Sequence, residues 1–173
     1  MKKNKINELK VGQVIELDKF ADTRGFFTEI YTKKKFEKIK FNKKFLQINH
    51  SVSLKKNTIR GMHFQYKPYS QGKLIYVVSG SILDVFVDLR SNKSSYGKVN
   101  KIKLSSKIPK LLFVPEFCAH GFCSLEDNTS VIYFTTNYYN KKSEETIKYN
   151  DNTLNIKWPK LKSTVRISKK DLD

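Results

Sequence analysis

The sequence predicts a mainly β chain closed into a sandwich or barrel, and two observations predict it. Apolar and polar residues alternate over short runs that recur about every 8–12 residues. Turn signals such as Arg24-Gly25, Ser79-Gly80 and Tyr96-Gly97 separate those runs. Neither glycine-rich phosphate loop, GxxxxGK[ST] or GxGxxG, is present, so no Walker or Rossmann site is expected.

The elements follow in order. Residues 11–20 alternate loosely through Val11, Val14, Ile15, Leu17 and Phe20 and predict a strand. Ala21-Asp22-Thr23-Arg24-Gly25 is a turn, and Phe26 to Tyr31 a second strand, with Arg24 and Glu29 at its two ends. The lysine-rich segment 32–44 predicts a short helix around Phe36 and Ile39. Residues 45–50 alternate cleanly, so Gln47 and Asn49 share a face. Thr58 to Gln65 is the next strand. Leu74 to Val78, the Ser79-Gly80 turn and Ile82 to Leu89 form the clearest hairpin, with Asp84 and Asp88 on one face of its return strand. Val99 to Leu104 and Leu111 to Val114 are strands, the second stopped by Pro115. Val131 to Tyr139 is the last long strand, and its alternation would put Tyr133, Thr135 and Tyr139 on one face. Residues 143–173 are polar, with a short helix and with Ile156, Trp158, Leu161 and Ile167 as docking points.

A length of 173 residues and 39% apolar composition fit one domain over residues 1–173 with a core that needs no disulfides. The net charge of +18 would suit a nucleic-acid binder or a protein drawn to anionic membranes. Of the 34 basic residues, however, only four are arginine, and the lysines are spread from Lys2 to Lys170. That pattern, with abundant Asn and Ile, fits AT-rich coding better than a phosphate footprint. Neither nucleic acid nor membrane is expected as a partner. No apolar run reaches 18 residues, and no apolar signal core follows the basic start, so the expectation is a cytoplasmic protein.

Arg60-Gly61-Met62-His63-Phe64-Gln65 holds one of four arginines and one of three histidines. Arginine grips phosphate with a planar fork, and histidine exchanges protons near neutrality. Taken alone, the segment is better explained as a strand with a structural histidine and a surface arginine. On a straight strand Arg60 and His63 would face opposite sides; Gly61 could host a bulge that re-aims one of them. Cys118-Ala119-His120-Gly121-Phe122-Cys123 lacks the second ligand pair that a structural zinc site needs, and buried free cysteines are the expectation. His63 is followed by Phe64-Gln65-Tyr66, without a second histidine one residue on, so no metal is expected.

Six segments taken together resemble one family. Asp22-Thr23-Arg24-Gly25-Phe26-Phe27-Thr28-Glu29, Gln47-Ile48-Asn49-His50-Ser51, Arg60 to Gln65 and Gln71-Gly72-Lys73-Leu74 resemble the motifs of the dTDP-4-dehydrorhamnose 3,5-epimerases. So do Pro115-Glu116 with Ala119 to Phe122, and Val131-Ile132-Tyr133 running to Tyr138-Tyr139; Trp158-Pro159 also fits. The resemblance implies a cupin-type jelly-roll β-barrel with short peripheral helices. It implies a homodimer with exchanged N-terminal strands, no cofactor, and inversion of C3 and C5 of a dTDP-4-keto-6-deoxy-hexose in rhamnose-type deoxysugar synthesis. His63 would then be the base and Tyr133 the acid on the other face. Lys73 would hold the enolate oxygen, and Asp171 would partner His63, with Asp84 as its rival. Arg60 and, across the dimer, Arg24 would hold the diphosphate. Gln47, Asn49 and Glu29 would contact the nucleotide, Tyr139 the sugar, and His120, Glu144 and Lys170 other parts of the substrate. Phe26 or Phe27 would stack on thymine, with at least one of them in the core. An epimerase of C3 alone, or of another nucleotide sugar, fits the same residues, and a non-catalytic sugar-nucleotide-binding jelly roll is the reading from another class.

Overall fold

The computed structural model describes residues 5–159 and 165–172, with only the backbone described at 5 and 6. Leu161, expected as a docking point, lies outside the described residues.

Two antiparallel sheets build the jelly roll. The first joins β1 (Lys5–Glu8), β2 (Gln13–Glu16), β10 (Lys110–Val114), β7 (Lys73–Ser79), β12 (Thr129–Thr135) and β5 (Gln47–Ser53), in that order. The second joins β13 (Glu144–Thr146), β6 (Ile59–Gln65), β11 (Cys118–Ser124), β8 (Ser81–Asp88) and β9 (Val99–Ser105). A hairpin of β3 (Phe20–Asp22) and β4 (Gly25–Phe27) forms a two-stranded sheet of its own.

The strand period of two assigns each side chain to a layer. Ile75, Val77, Leu112, Val114 and Val131 of the first sheet meet Ile82, Phe86, Leu104 and Phe122 of the second between the sheets. The alternate residues Leu74, Tyr76, Leu111 and Phe113 pack outward under α1 (Lys33–Lys38), where Phe36 and Phe41 cover them. Val85, Val87, Ala119 and Met62 pack outward on the second sheet under Ile156 and Trp158. Both faces of the central strands are therefore covered, which is why Leu74-Ile75-Tyr76-Val77 reads as an unbroken apolar run.

The structure differs from the expectations at five places. Strand β11 was not legible: all seven of its residues are buried, so no polar face shows an alternation. Strands β1 and β13 lie at sheet edges and carry mostly polar side chains. The expected strand 26–31 shrinks to β4, and both Phe26 and Phe27 are exposed, so neither belongs to the core. The strand expected to reach Tyr139 stops at Thr135. There Asn137 takes over: its Oδ1 accepts from Tyr138 N at 2.9 Å and its Nδ2 donates to Pro68 O at 2.9 Å. Tyr139 thus reaches the site from a loop. The C-terminal helix is a single 3-10 turn, Lys169–Asp171.

The bulge at Gly61 is present. In the β6–β11 ladder His63 pairs with His120 and Arg60 with Phe122, so two residues of β6 oppose Gly121 alone. His120 and Phe122 share a face of β11, and Arg60 and His63 therefore share one too. The two backbones come close enough to require glycine. Gly61 has φ +110°, and a Cβ there would lie 2.6 Å from His120 O and 2.7 Å from Gly121 Cα. Gly61→Ala is expected to cost about 2 kcal/mol by overpacking. That lowers the melting temperature by about 4–8 °C for a chain of this size. An unchanged thermal melt would contradict this close approach.

Among the described residues, no helix is long and apolar enough to cross a membrane.

Candidate active site

A cavity lies between residues of the two sheets. This cavity, about 770 Å³, is lined by Arg60, His63, Lys73, His120, Tyr133, Lys170 and Asp171. An adjoining cavity of about 380 Å³ shares His63, Lys73, Tyr133 and Lys170 and adds Gln47, Asn49, Tyr139 and Glu144. These side chains come from strands of both sheets, the loop after β12 and the C-terminal turn. Every site residue expected from the sequence is here except Arg24, Glu29 and the Phe26 or Phe27 expected to stack on thymine, which lie elsewhere. Arg24 sits on the exposed β3–β4 hairpin, paired with Asp22 at 2.6 Å, and Glu29 is paired with Lys35 at 2.7 Å.

His63 projects from β6. Its Nε2 donates to Asp171 Oδ1 at 2.8 Å, which leaves Nδ1 to accept a proton. The second oxygen of Asp171 accepts from Gly61 N at 3.3 Å. The carboxylate is delivered by the C-terminal turn, which Ser168 caps by accepting from Asp171 N. That turn is fastened to the barrel where Ile59 N donates to Arg166 O at 2.8 Å and Arg166 N to Asn57 O at 3.0 Å. Burial pulls the imidazolium of His63 below its ordinary value, against the opposing pull of Asp171. The ring is therefore neutral and basic near pH 7. Asp84, the rival partner, is bound to His120 instead: His120 Nε2 donates to Asp84 Oδ2 at 2.8 Å.

Lys73 is buried on β7 and reaches across to the other sheet, donating to His63 O at 3.1 Å. Burial lowers its ammonium to about 8, with Asp84 and Glu144 opposing that fall. Tyr133 projects from β12, in the sheet that faces His63. Burial raises its phenol above the ordinary value, so it keeps its proton at neutral pH. A neutral imidazole from one sheet and a protonated phenol from the other thus line one cavity, with the Lys73 amine beside them.

The polar groups at the mouth are braced. Arg60 Nη2 donates to Val52 O at 2.8 Å and its Nε to Ser53 Oγ at 3.3 Å, which leaves further donors of the fork for an anion. Glu144 accepts from Tyr139 OH at 2.8 Å and from Lys170 Nζ. Gln47 Nε2 donates to Asn49 Oδ1 at 2.7 Å, and Gln47 Oε1 accepts from Tyr139 N at 3.0 Å, fixing the loop.

The architecture and its neighbours agree. The profile of the dTDP-4-dehydrorhamnose 3,5-epimerases matches residues 5–173. The chain belongs to the dTDP-4-dehydrorhamnose 3,5-epimerase family. A family member from Shigella flexneri is 42% identical over 147 residues, 84% of this chain and 81% of that protein. The crystal structure of the Bacillus anthracis dTDP-4-dehydrorhamnose 3,5-epimerase, with TDP and PPi bound, superposes with a TM-score of 0.91. It is 39% identical, over 96% of this chain and 95% of that one. The Legionella pneumophila epimerase in complex with dTDP-4-keto-L-rhamnose superposes with a TM-score of 0.90. It is 34% identical, over 97% and 89% of the two chains. The motifs that first resembled the epimerases are therefore those of a family member.

Sequence reasoning missed three parts of this epimerase-family site. Arg166 lines the cavity mouth, and the scarcity of arginine that singled out Arg60 applied to it as well. Gln65 is buried and donates to Tyr138 O while accepting from Asn140 N, which shapes the Tyr139 loop; a lone glutamine on a strand carries no such signal. The pairing of Asp84 with His120 depends on a diagonal across β8 and β11 that only the register reveals. The two cysteines are free and buried, as expected, and burial pushes their thiols up to about 12 at Cys118 and about 11 at Cys123.

Proposed function

We propose that the protein inverts C3 and C5 of a dTDP-4-keto-6-deoxy-hexose, and that the facing positions of His63 and Tyr133 on one cavity carry this reading. The C4 ketone makes the hydrogens on C3 and C5 acidic enough for a positioned imidazole. His63 Nδ1 takes such a proton, and Asp171 stabilises the imidazolium through Nε2. The electron pair moves onto O4 as an enolate, beside the Lys73 ammonium. Tyr133 then returns a proton to the opposite face of the same carbon, and the configuration inverts. Substrate and product have the same oxidation state, so no electron acceptor is needed. Solvent resets the phenolate and the imidazolium.

The nucleotide is held from two sides. Arg60 grips the diphosphate with its unused donors, and Gln47 and Asn49 contact the nucleoside. Tyr139, His120, Glu144 and Lys170 line the sugar. Arg24 and Glu29 act in a homodimer, where the exposed β3–β4 hairpin enters the cavity of the partner subunit. The exposed rings of Phe20, Phe26 and Phe27 support that reading, because three large apolar side chains on one hairpin favour burial against another chain. The test is proton NMR of the product formed from dTDP-4-keto-6-deoxyglucose. The expected product is inverted at both C3 and C5. Inversion at C3 alone would make the protein a single epimerase, and an unchanged sugar would make it a binding module.

A further inference from the structure

The inner face of β8 runs Ile82, Asp84, Phe86, and a carboxylate stands there in an apolar line. Asp84 has no exposed surface, and its Oδ1 has no hydrogen-bond partner among the described residues. Burying such a group is unfavourable unless charges or donors answer it. Two groups answer. His120 faces Phe86 across the β8–β11 ladder, one step diagonal from Asp84, and gives it Nε2–H at 2.8 Å. Lys73, buried on β7 of the facing sheet, is the second: its ammonium lowers the Asp84 carboxyl, and Asp84 in turn raises the ammonium.

His120 is also the cross-strand partner of His63. Two imidazoles therefore stand side by side, each donating Nε2–H to a different aspartate. His120 lines the cavity, and its Nδ1 has no protein partner among the described residues, so that nitrogen is available to accept a hydrogen bond.

We propose that Asp84 is a positioning residue of this site, which fixes His120 with Nδ1 turned to the sugar and keeps the Lys73 ammonium charged beside the developing enolate. The proposal rests on the epimerase reading for its substrate. Asp84 itself touches neither sugar nor nucleotide; it acts through the other two. Lys73 is faced by Asp84 from β8, Glu144 from β13, Cys118 from β11 and His63 from β6. With its thiol held protonated, Cys118 adds no charge near neutrality. Asp84 and Glu144 are the carboxyl groups that oppose the loss of the ammonium proton; burial raises the Asp84 carboxyl, and His120 and Lys73 pull it back down.

The test is Asp84→Asn, read against the wild type by solvent-deuterium exchange of the 4-keto sugar nucleotide between pH 6 and 10. The alkaline limb of the kcat profile is expected to move down by about one pH unit, the size set by one opposite charge at close range. At pH 8.5 kcat falls several-fold more than at pH 6.5, while KM changes less. Histidine 15N shifts are expected to show His120 in one tautomer in the wild type and in both in the variant. Coincident pH profiles with an unchanged His120 tautomer would overturn the proposal. If Asp84→Asn does not fold, wild-type NMR decides: a protonated Asp84 carboxyl at pH 7, or His120 carrying its proton on Nδ1, overturns it equally. If the wild type exchanges no deuterium at all, the epimerase reading fails, and the NMR arms still decide the role of Asp84.

Discussion

Alanine at His63 is expected to remove both deuterium uptake and epimerisation, by roughly 100- to 10,000-fold, the range of a positioned general base. The loss should fall on kcat, because the imidazole acts on the carbon–hydrogen bond and not on the nucleotide. The fold should survive. His63 is partly exposed at the cavity wall, and Asp171 keeps its bond from Gly61 N and its capped turn. Removing the ring also lifts the hydrogen bond that fixes Asp171 Oδ1, so a small loss of stability is expected, of about 1–3 kcal/mol for one unpaired buried acceptor. Exchange at the wild-type rate in a folded His63→Ala protein would remove the base from the account.

Phenylalanine at Tyr133 should separate two steps that the wild type performs together. The ring still packs on the inner face of β12, between Val131 and Thr135, and only the hydroxyl is lost. His63 can still take a proton, so hydrogen at the acidic carbons should still exchange with D2O. The carbanion then lacks a donor on its far face and regains its proton from the side that lost it. The expected signature is deuterium in recovered substrate, with epimerised product reduced roughly 100-fold or more. An unchanged ratio of product to exchanged substrate would show that Tyr133 is not the acid. The two variants together separate a base on the second sheet from an acid on the first.

Much of the site was legible because several short segments, each weak alone, occurred in one order and at one spacing. Gln47 and Asn49 share a face because strands repeat every two residues, and β5 is a regular edge strand. Arg60 and His63 were harder. Their relation depends on the bulge opposite Gly121, and a glycine on a strand signals that such a bulge is possible without saying where the ladder slips. Asp171 could be proposed only by resemblance. Its place against His63 is made by 3-10 geometry and by the anchoring of Arg166 on Asn57 and Ile59, and none of these has a periodic signature. The competition between Asp171 and Asp84 was settled by register: β8 places Asp84 beside His120, and the C-terminal turn brings Asp171 to His63. Tyr139 does line the cavity, but from a loop that Gln47 and Glu144 hold and not from the strand expected of it. Arg24 and Glu29 lie outside the cavity of their own chain, and no property of one chain shows where a partner would take them.

The proposed mechanism needs a sugar ring held between two walls, with the base on one sheet and the acid on the other. The most direct measurement is a crystal structure of the protein with dTDP-rhamnose, whose C4 hydroxyl in place of the ketone leaves no carbanion to form. The ring should lie between His63 and Tyr133, with O4 turned to the Lys73 ammonium and Arg60 on the diphosphate. A sugar bound outside that cavity, or one with both side chains on the same face of the ring, would contradict the account.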